Sequence, residues 1–348
     1  MAHVSKKTIW QSGSEGYPAY RIPALVRTPE GALLAFCEGR KDGLGDAGRI
    51  DLLLKRSDDG GQSWSPAQVV VSEEATTCGN PCSVVDRDTG IIWMPFCKNR
   101  ADGGESLICQ GKAPRTVWLT HSGDDGRSWS APVEITSQVK DPSWTWYATG
   151  PGHGIQLQSG RLLIPCDHMV GVHFDRKRDS YHSHVIYSDD HGQSWHIGGQ
   201  VQDGTNECQA AELSDGRVYI NCRNYVGDKR RASAVSRDGG NTFGAFRWEE
   251  TLIEPICQAS LIGLGENRLV FANPASISRE NLTIRVSRDG GQTWSVGATL
   301  HAGPAAYSDL VIQMDGKIGC LYECGEEGPY ERLVYAELDL NWIDGNWK

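Results

Sequence analysis

The stretch Ser57-Asp58-Asp59-Gly60-Gly61-Gln62-Ser63-Trp64 recurs along the chain at one internal spacing. Its counterparts are Ser122-Asp124-Gly126-Ser128-Trp129, Ser188-Asp190-Gly192-Ser194-Trp195, Ser236-Asp238-Gly240-Thr242-Phe243 and Ser287-Asp289-Gly291-Thr293-Trp294. Five copies exclude coincidence. The residue types describe a hairpin turn: the Asp side chain accepts backbone N–H groups, the glycine supplies a left-handed conformation, and the aromatic is expected to pack back onto its own unit. These aspartates are read as folding the loop rather than doing chemistry.

Working outward, an apolar run ending in a polar residue occurs six times, at Phe36-Cys37-Glu38, Phe96-Cys97-Lys98, Pro165-Cys166-Asp167, Asn221-Cys222-Arg223, Phe271-Ala272-Asn273 and Leu321-Tyr322-Glu323. Each is preceded by another short run: residues 21–25, 80–84, 153–157, 207–211, 256–260 and 307–311. A unit therefore reads strand, strand, strand, turn, strand, and it repeats at roughly fifty to sixty residues, the pattern of a propeller blade. The expected fold is all-β: one domain, residues 1–348, forming a six-bladed β-propeller of four-stranded antiparallel blades. The sixth unit has no Asp turn after its third strand, residues 332–337. The N-terminal strand, residues 4–10, is expected to complete it, closing the last blade and removing exposed sheet edges.

Composition agrees. The 348 residues include 41 Gly and 12 Trp but only 4 Met and 6 Phe, which favours many short strands over long helices. No run of about 18 apolar residues exists, so no membrane span and a soluble chain are expected. Residues 1–10 lack a signal-peptide core, which leaves a cytoplasmic protein or the mature form of a secreted one. Net charge is −10, and the only basic cluster is Asp228-Lys229-Arg230-Arg231, which argues against nucleic acid as a partner. The repeat also absorbs most of the 11 cysteines: Cys37, Cys97, Cys166 and Cys222 share one blade position and Cys82, Cys208 and Cys257 another, as small buried residues. With no C-x-x-C pair and an isolated His182-x-His184, no metal site is expected.

In such a blade the Asp turns share one face, and the opposite face, the mouth, collects first-strand starts, second-strand ends and the loops into third strands. That places Arg21, Glu207 and Tyr307 at first-strand starts, Glu38, Arg40, Arg223 and Glu323 near second-strand ends, and Asp46 and Arg279 in the loops before third strands. Arg285 competes with Arg279, but it stands two residues before an Asp turn, at the far end of its strand, so Arg279 is the mouth residue. The expectation is a basic mouth on an acidic body, since local fields act within about 8 Å at physiological salt.

Taken together, Tyr20-Arg21-Ile22-Pro23, the five Asp turns, Asp46-Ala47-Gly48-Arg49-Ile50-Asp51, Arg223, Tyr307-Ser308-Asp309-Leu310 and Leu321-Tyr322-Glu323 resemble a sialidase of the bacterial and animal type across essentially the whole chain. The resemblance implies retaining hydrolysis of terminal sialic acid from sialylated glycans, glycoproteins or glycolipids. It implies Arg21, Arg223 and Arg279 as a triad gripping the substrate carboxylate, Tyr307 as nucleophile, Glu207 as its base and Asp46 as acid and later base. Glu323 would support the first arginine, and Arg40 would contact a sugar hydroxyl or the acyl arm. No metal or organic cofactor is implied. A neutral phenol suits a substrate whose own carboxylate would repel an anionic nucleophile.

Trp144, Trp146, Tyr147 and Tyr181 are aromatic candidates for the acyl and glycerol pockets. His168 and His173 read as structural or solvated, and Asn281-Leu282-Thr283 matches a glycosylation sequon. The rival readings are a non-catalytic propeller that binds a glycan or protein, a hydrolase for deaminated sialic acid, and trans-glycosylation.

Overall fold

The computed structural model describes residues 4–173 and 180–344. Most of it is antiparallel strand, built in successive units of four. Ala19–Arg27, Leu33–Arg40, Ile50–Ser57 and Gln68–Val71 pair in chain order, each antiparallel to the next. Thr205–Glu212, Val218–Asn224, Arg230–Ser236 and Arg247–Ile253 repeat the arrangement as a separate four-stranded sheet. Central strands such as Leu33–Arg40 and Ile318–Cys324 are buried along their whole length, so their apolar residues run consecutively up to a polar end rather than alternating.

The units are joined as well as juxtaposed. Ala298–Ile312 is one continuous strand that pairs with Glu280–Ser287 through its first half and with Ile318–Cys324 through its second. Val4–Gln11 pairs antiparallel with Arg332–Leu338, supplying the outer strand of the last unit. The innermost strand of the second unit is split into Thr76–Gly79 and Cys82–Val85, because Pro81 has no N–H to donate and Asn80 adopts φ +57. Residues 256–260, expected to be a first strand, form none before Ser260. There the Gln258 side chain replaces the ladder: its Nε2 donates to Ser308 O at 2.9 Å and its Oε1 accepts from Ser308 N at 3.0 Å.

The five Asp turns form as their residues predict. In the first, Asp59 Oδ1 accepts from Ser63 N at 2.8 Å and from Ser57 Oγ, which in turn accepts from Gly61 N at 2.8 Å. The turn aromatics correct one expectation, since they pack across the seam to the preceding unit as well as onto their own. Trp129 meets Phe36 edge-on at 5.6 Å, and Trp64 meets Tyr335 of the last unit at 5.2 Å. The glycines share that seam: a Cβ on Gly192 would lie 2.2 Å from Trp93, and one on Gly61 2.1 Å from Tyr335. Buried apolar clusters straddle neighbouring units in the same way, for example Leu34, Phe36 and Leu52 with Met94 and Phe96, or Tyr219 and Leu213 with Phe271 and Trp294. One of them joins Leu25, Leu33 and Leu53 of the first unit to Leu321, Leu333 and Tyr335 of the last. All eleven cysteines are buried and free, including Cys78, Cys109, Cys320 and Cys324, which stand outside the repeat positions.

Candidate active site

Arg21, Glu207 and Tyr307 stand on innermost strands of different units, and each falls in a break of register: Arg21/Ala24, Thr205/Cys208 and Ala305/Ser308. Such a break turns a side chain out of the strand's alternation and frees backbone N–H groups from the ladder. Glu323, fully buried at the end of Ile318–Cys324, collects what two of these breaks release. Its Oε1 accepts from Ile22 N at 2.9 Å and its Oε2 from Tyr307 N at 3.1 Å, while the Arg21 Nε and Nη2 pair with the same carboxylate at 3.0 and 3.2 Å. Arg223 stands near the end of Val218–Asn224, Arg279 directly precedes Glu280–Ser287, and Asp46 lies in the loop between Leu33–Arg40 and Ile50–Ser57.

Arg21, Arg40, Asp46, Glu207, Arg223, Arg279 and Tyr307 line one cavity of about 170 Å³; Glu323 lies behind it. The Tyr307 hydroxyl donates to Glu207 Oε1 at 2.5 Å. Arg223 Nη1 donates to the other carboxylate oxygen at 2.6 Å and to the phenol oxygen at 3.0 Å. The Arg21 and Arg279 guanidiniums sit 5.0 and 5.4 Å from the centre of the Tyr307 ring. Asp46 Oδ1 accepts from Arg40 Nη1 at 2.9 Å and Arg21 Nη1 at 3.4 Å, its side chain 72% exposed. Arg285 takes no part in the lining, and its Nη1 reaches Asn273 Oδ1 at 3.4 Å.

Burial pushes the Tyr307 phenol well above its ordinary value, and Glu207 adds to the shift against the pull of Arg223 and Arg279. A phenol so placed attacks only if a base takes its proton, and Glu207 is in contact to do so. For Asp46, desolvation by the cavity wall raises the carboxyl even though its side chain is largely open, but Arg40 and Arg21 outweigh it and hold the group below the usual carboxylate range. Asp167, also in the lining, is driven the other way, upward from the usual carboxylate range, first by burial and then by Glu207. The lining carries five arginines and five carboxyl groups, so the mouth is arginine-rich but close to balanced rather than strongly basic.

Of the four aromatic candidates, only Trp146 lines the cavity, its Nε1 donating to Asp167 Oδ2 at 3.0 Å. Trp144 and Tyr147 belong to a core cluster, and Tyr181 donates to Glu105 Oε1 at 2.6 Å. His168 is buried and stacked on Trp144 at 3.6 Å, a structural placement. Lining residues not anticipated include Glu105, Arg115, Asp167, Asn206 and Tyr225, and Tyr330 stands beside them against Arg21 and Arg279. Tyr330 lies 4.1 Å under the Arg21 guanidinium and accepts from Arg279 Nη1 at 2.6 Å. Tyr330 precedes a third strand as Asp46 and Arg279 do, and Asp167 follows Cys166 as Arg223 follows Cys222, so the repeat contained a signal for both. Away from the mouth, Asp86, Asp88 and His191 lie close enough together to hold a cation, but Asp86 already accepts from Thr89, Gln156 and Asp88 N.

Residues 31–320 match the family described as BNR repeat-like domain. The chain is 35% identical to a sialidase of Micromonospora viridifaciens, matching 96% of this chain and 53% of that protein, about half its length. It is 32% identical to sialidase-3 of Mus musculus over 94% of this chain and 93% of the relative. Among solved structures, a Hadza microbial sialidase superposes with a TM-score of 0.87 at 32% identity, covering 97% of this chain and 69% of that one.

Proposed function

Because the chain belongs to the sialidase family, we propose that it is an exo-α-sialidase, releasing terminal sialic acid from glycans, glycoproteins or glycolipids with net retention. The observation that carries this reading is the contact of the Tyr307 hydroxyl with Glu207 at 2.5 Å beneath Arg223. Arg21, Arg223 and Arg279 are the groups to hold the substrate carboxylate by charge-assisted hydrogen bonds. In the first step the Tyr307 oxygen bonds to the anomeric carbon as its proton passes to Glu207. The bond to the leaving oxygen breaks, and that oxygen takes a proton from Asp46. In the second step Asp46 removes a proton from water as the water oxygen bonds to the same carbon, and the departing phenolate recovers its proton from Glu207. Two inversions give retention.

We also propose that residues 1–348 form one domain, a six-bladed propeller closed by the N-terminal strand. What supports this is that each Asp-turn glycine packs on the unit before it, Gly126 on Leu34, Gly192 on Trp93, Gly240 on Leu163 and Gly291 on Tyr219, while Gly61 of the first unit packs on Tyr335 of the last.

The test of function is release of 4-methylumbelliferone from its N-acetylneuraminic acid conjugate. The expected outcome is hydrolysis by the unaltered protein and a loss of at least about a hundredfold in Tyr307→Phe with its circular dichroism unchanged. Asp46→Ala should lose less on this activated leaving group than on sialyllactose. No release by the unaltered protein from this conjugate or its deaminated analogue would overturn the proposal.

A further inference from the structure

Each guanidinium nitrogen of Arg40 is already hydrogen-bonded within the protein. Its side chain is 2% exposed, with Nε and Nη2 on Glu38 Oε2 at 3.0 and 2.7 Å. Its Nη1 holds the acid-bearing loop at three points, Leu44 O at 2.7 Å, Gly45 O at 3.1 Å and Asp46 Oδ1 at 2.9 Å. Glu38 is itself fixed from behind by Asn80 N at 2.9 Å. Arg40 thus binds the loop rather than facing the cavity with free N–H groups. Arg21 differs: Nε and Nη2 belong to Glu323, and Nη1 meets Asp46 only at a long 3.4 Å. A ligand carboxylate reaching Arg21 from the cavity competes for that weaker contact.

Resting on the sialidase reading above, we infer that Arg40 is a positioning residue which stores Asp46 as a carboxylate in the empty site, and that the substrate carboxylate, by taking Arg21, frees Asp46 to gain its proton. Loading of the acid is then coupled to binding. Before binding, the cations facing Asp46 are Arg40 from Leu33–Arg40, Arg21 from Ala19–Arg27 and Arg279 from the loop before Glu280–Ser287. On its own loop Asp42 and Arg49 neutralise each other at 2.6 Å, and Glu38 and Glu323 lie behind the arginines they hold. After binding, the ligand's negative charge offsets Arg21 and Arg279 and stands beside Asp46, which favours the neutral acid. The proton comes from solvent, is passed to the glycosidic oxygen in the first step, and is regained from water in the second.

Calorimetric binding of the 2,3-unsaturated analogue of sialic acid, in buffers of differing ionisation enthalpy at mildly acidic pH, counts protons taken up. The expected result is net uptake by the unaltered protein and its loss in Asp46→Asn, with the analogue still bound. In sialyllactose hydrolysis, the basic limb of kcat/KM should lie below that of kcat. Arg40→Gln should move the kcat/KM limb up by about one pH unit, whereas Arg40→Lys, which keeps the charge, should stay near the original. Equal uptake with and without Asp46 overturns the coupling and leaves the sialidase reading intact. An unmoved limb in Arg40→Gln overturns the role of Arg40. An analogue that fails to bind the unaltered protein at all brings down the sialidase reading and this inference with it.

Discussion

Glu323 shows how much one residue can organise. It pairs with Arg21 and accepts the N–H groups of Ile22 and Tyr307, so Arg21 and Tyr307 share one anchor. Removing one partner of a buried pair leaves an uncompensated charge, here Arg21, together with two unpaired donors. Glu323→Ala should therefore lower unfolding free energy by about 3–5 kcal/mol in urea denaturation, and Glu323→Gln, which keeps an acceptor, by less. Equal stability of the three proteins would refute the assignment. The sequence placed Glu323 at a second-strand end and the resemblance tied it to Arg21. Its hold on Tyr307 was illegible, because it depends on two register breaks that no residue spacing announces. The hold of Arg40 on the loop was illegible for a related reason: its hydrogen bonds to Leu44, Gly45 and Asp46 are decided by where the loop of residues 41–49 returns.

At the scale of the element, the Asp turn was read correctly as a hairpin closed by carboxylate and glycine. It was read incompletely as a local device, because its glycine and aromatic also build the seam between units. Gly61 has φ +92 and lies against Tyr335; Gly192 has φ +86 and lies against Trp93; Gly216 has φ +80 and nothing within 4 Å. All three alanine substitutions carry backbone strain of about 1–2 kcal/mol. Gly61→Ala and Gly192→Ala should add about 1–3 kcal/mol of overpacking that Gly216→Ala escapes. Thermal unfolding of the three variants separates the terms. If Gly61→Ala, at the seam between last and first units, proves no worse than Gly216→Ala, the closed ring proposed here fails.

Across the whole molecule, acid stability is set by what the interior holds neutral. His168 and His184 face each other through Nδ1 at 3.0 Å. Burial, reinforced by neighbouring imidazoles, lowers both from an ordinary value of 6.5, His184 to about 3 and His168 further. Below pH 6.5 the unfolded chain gains protons that the folded one refuses, so folding stability is present above that pH and lost as pH falls. The slope is about 1.4 kcal/mol per pH unit for each ring. His153, raised by Asp309 against its burial, acts above pH 6.5, outside this window, while half-buried His301 shifts in the same direction as the pair. The buried carboxyls Asp167 and Glu254, raised by burial, act with the opposite sign in this window, so the histidine contribution is read by difference: in denaturant unfolding between pH 7 and pH 4, His168→Gln with His184→Gln should lose less stability as pH falls than the unaltered protein, and an identical pH dependence would refute the account. The sequence by itself determined the strand count per unit, the turns and which residues stand at strand ends. These follow from local rules, a glycine's permitted φ, a carboxylate's reach to nearby N–H groups and the burial of apolar runs, repeated until the period was unmistakable. Tertiary structure alone decided which partners each mouth arginine holds and that neighbouring units share their core. Those outcomes depend on distances between residues as far apart as Arg21 and Glu323, which are set only when the units pack together.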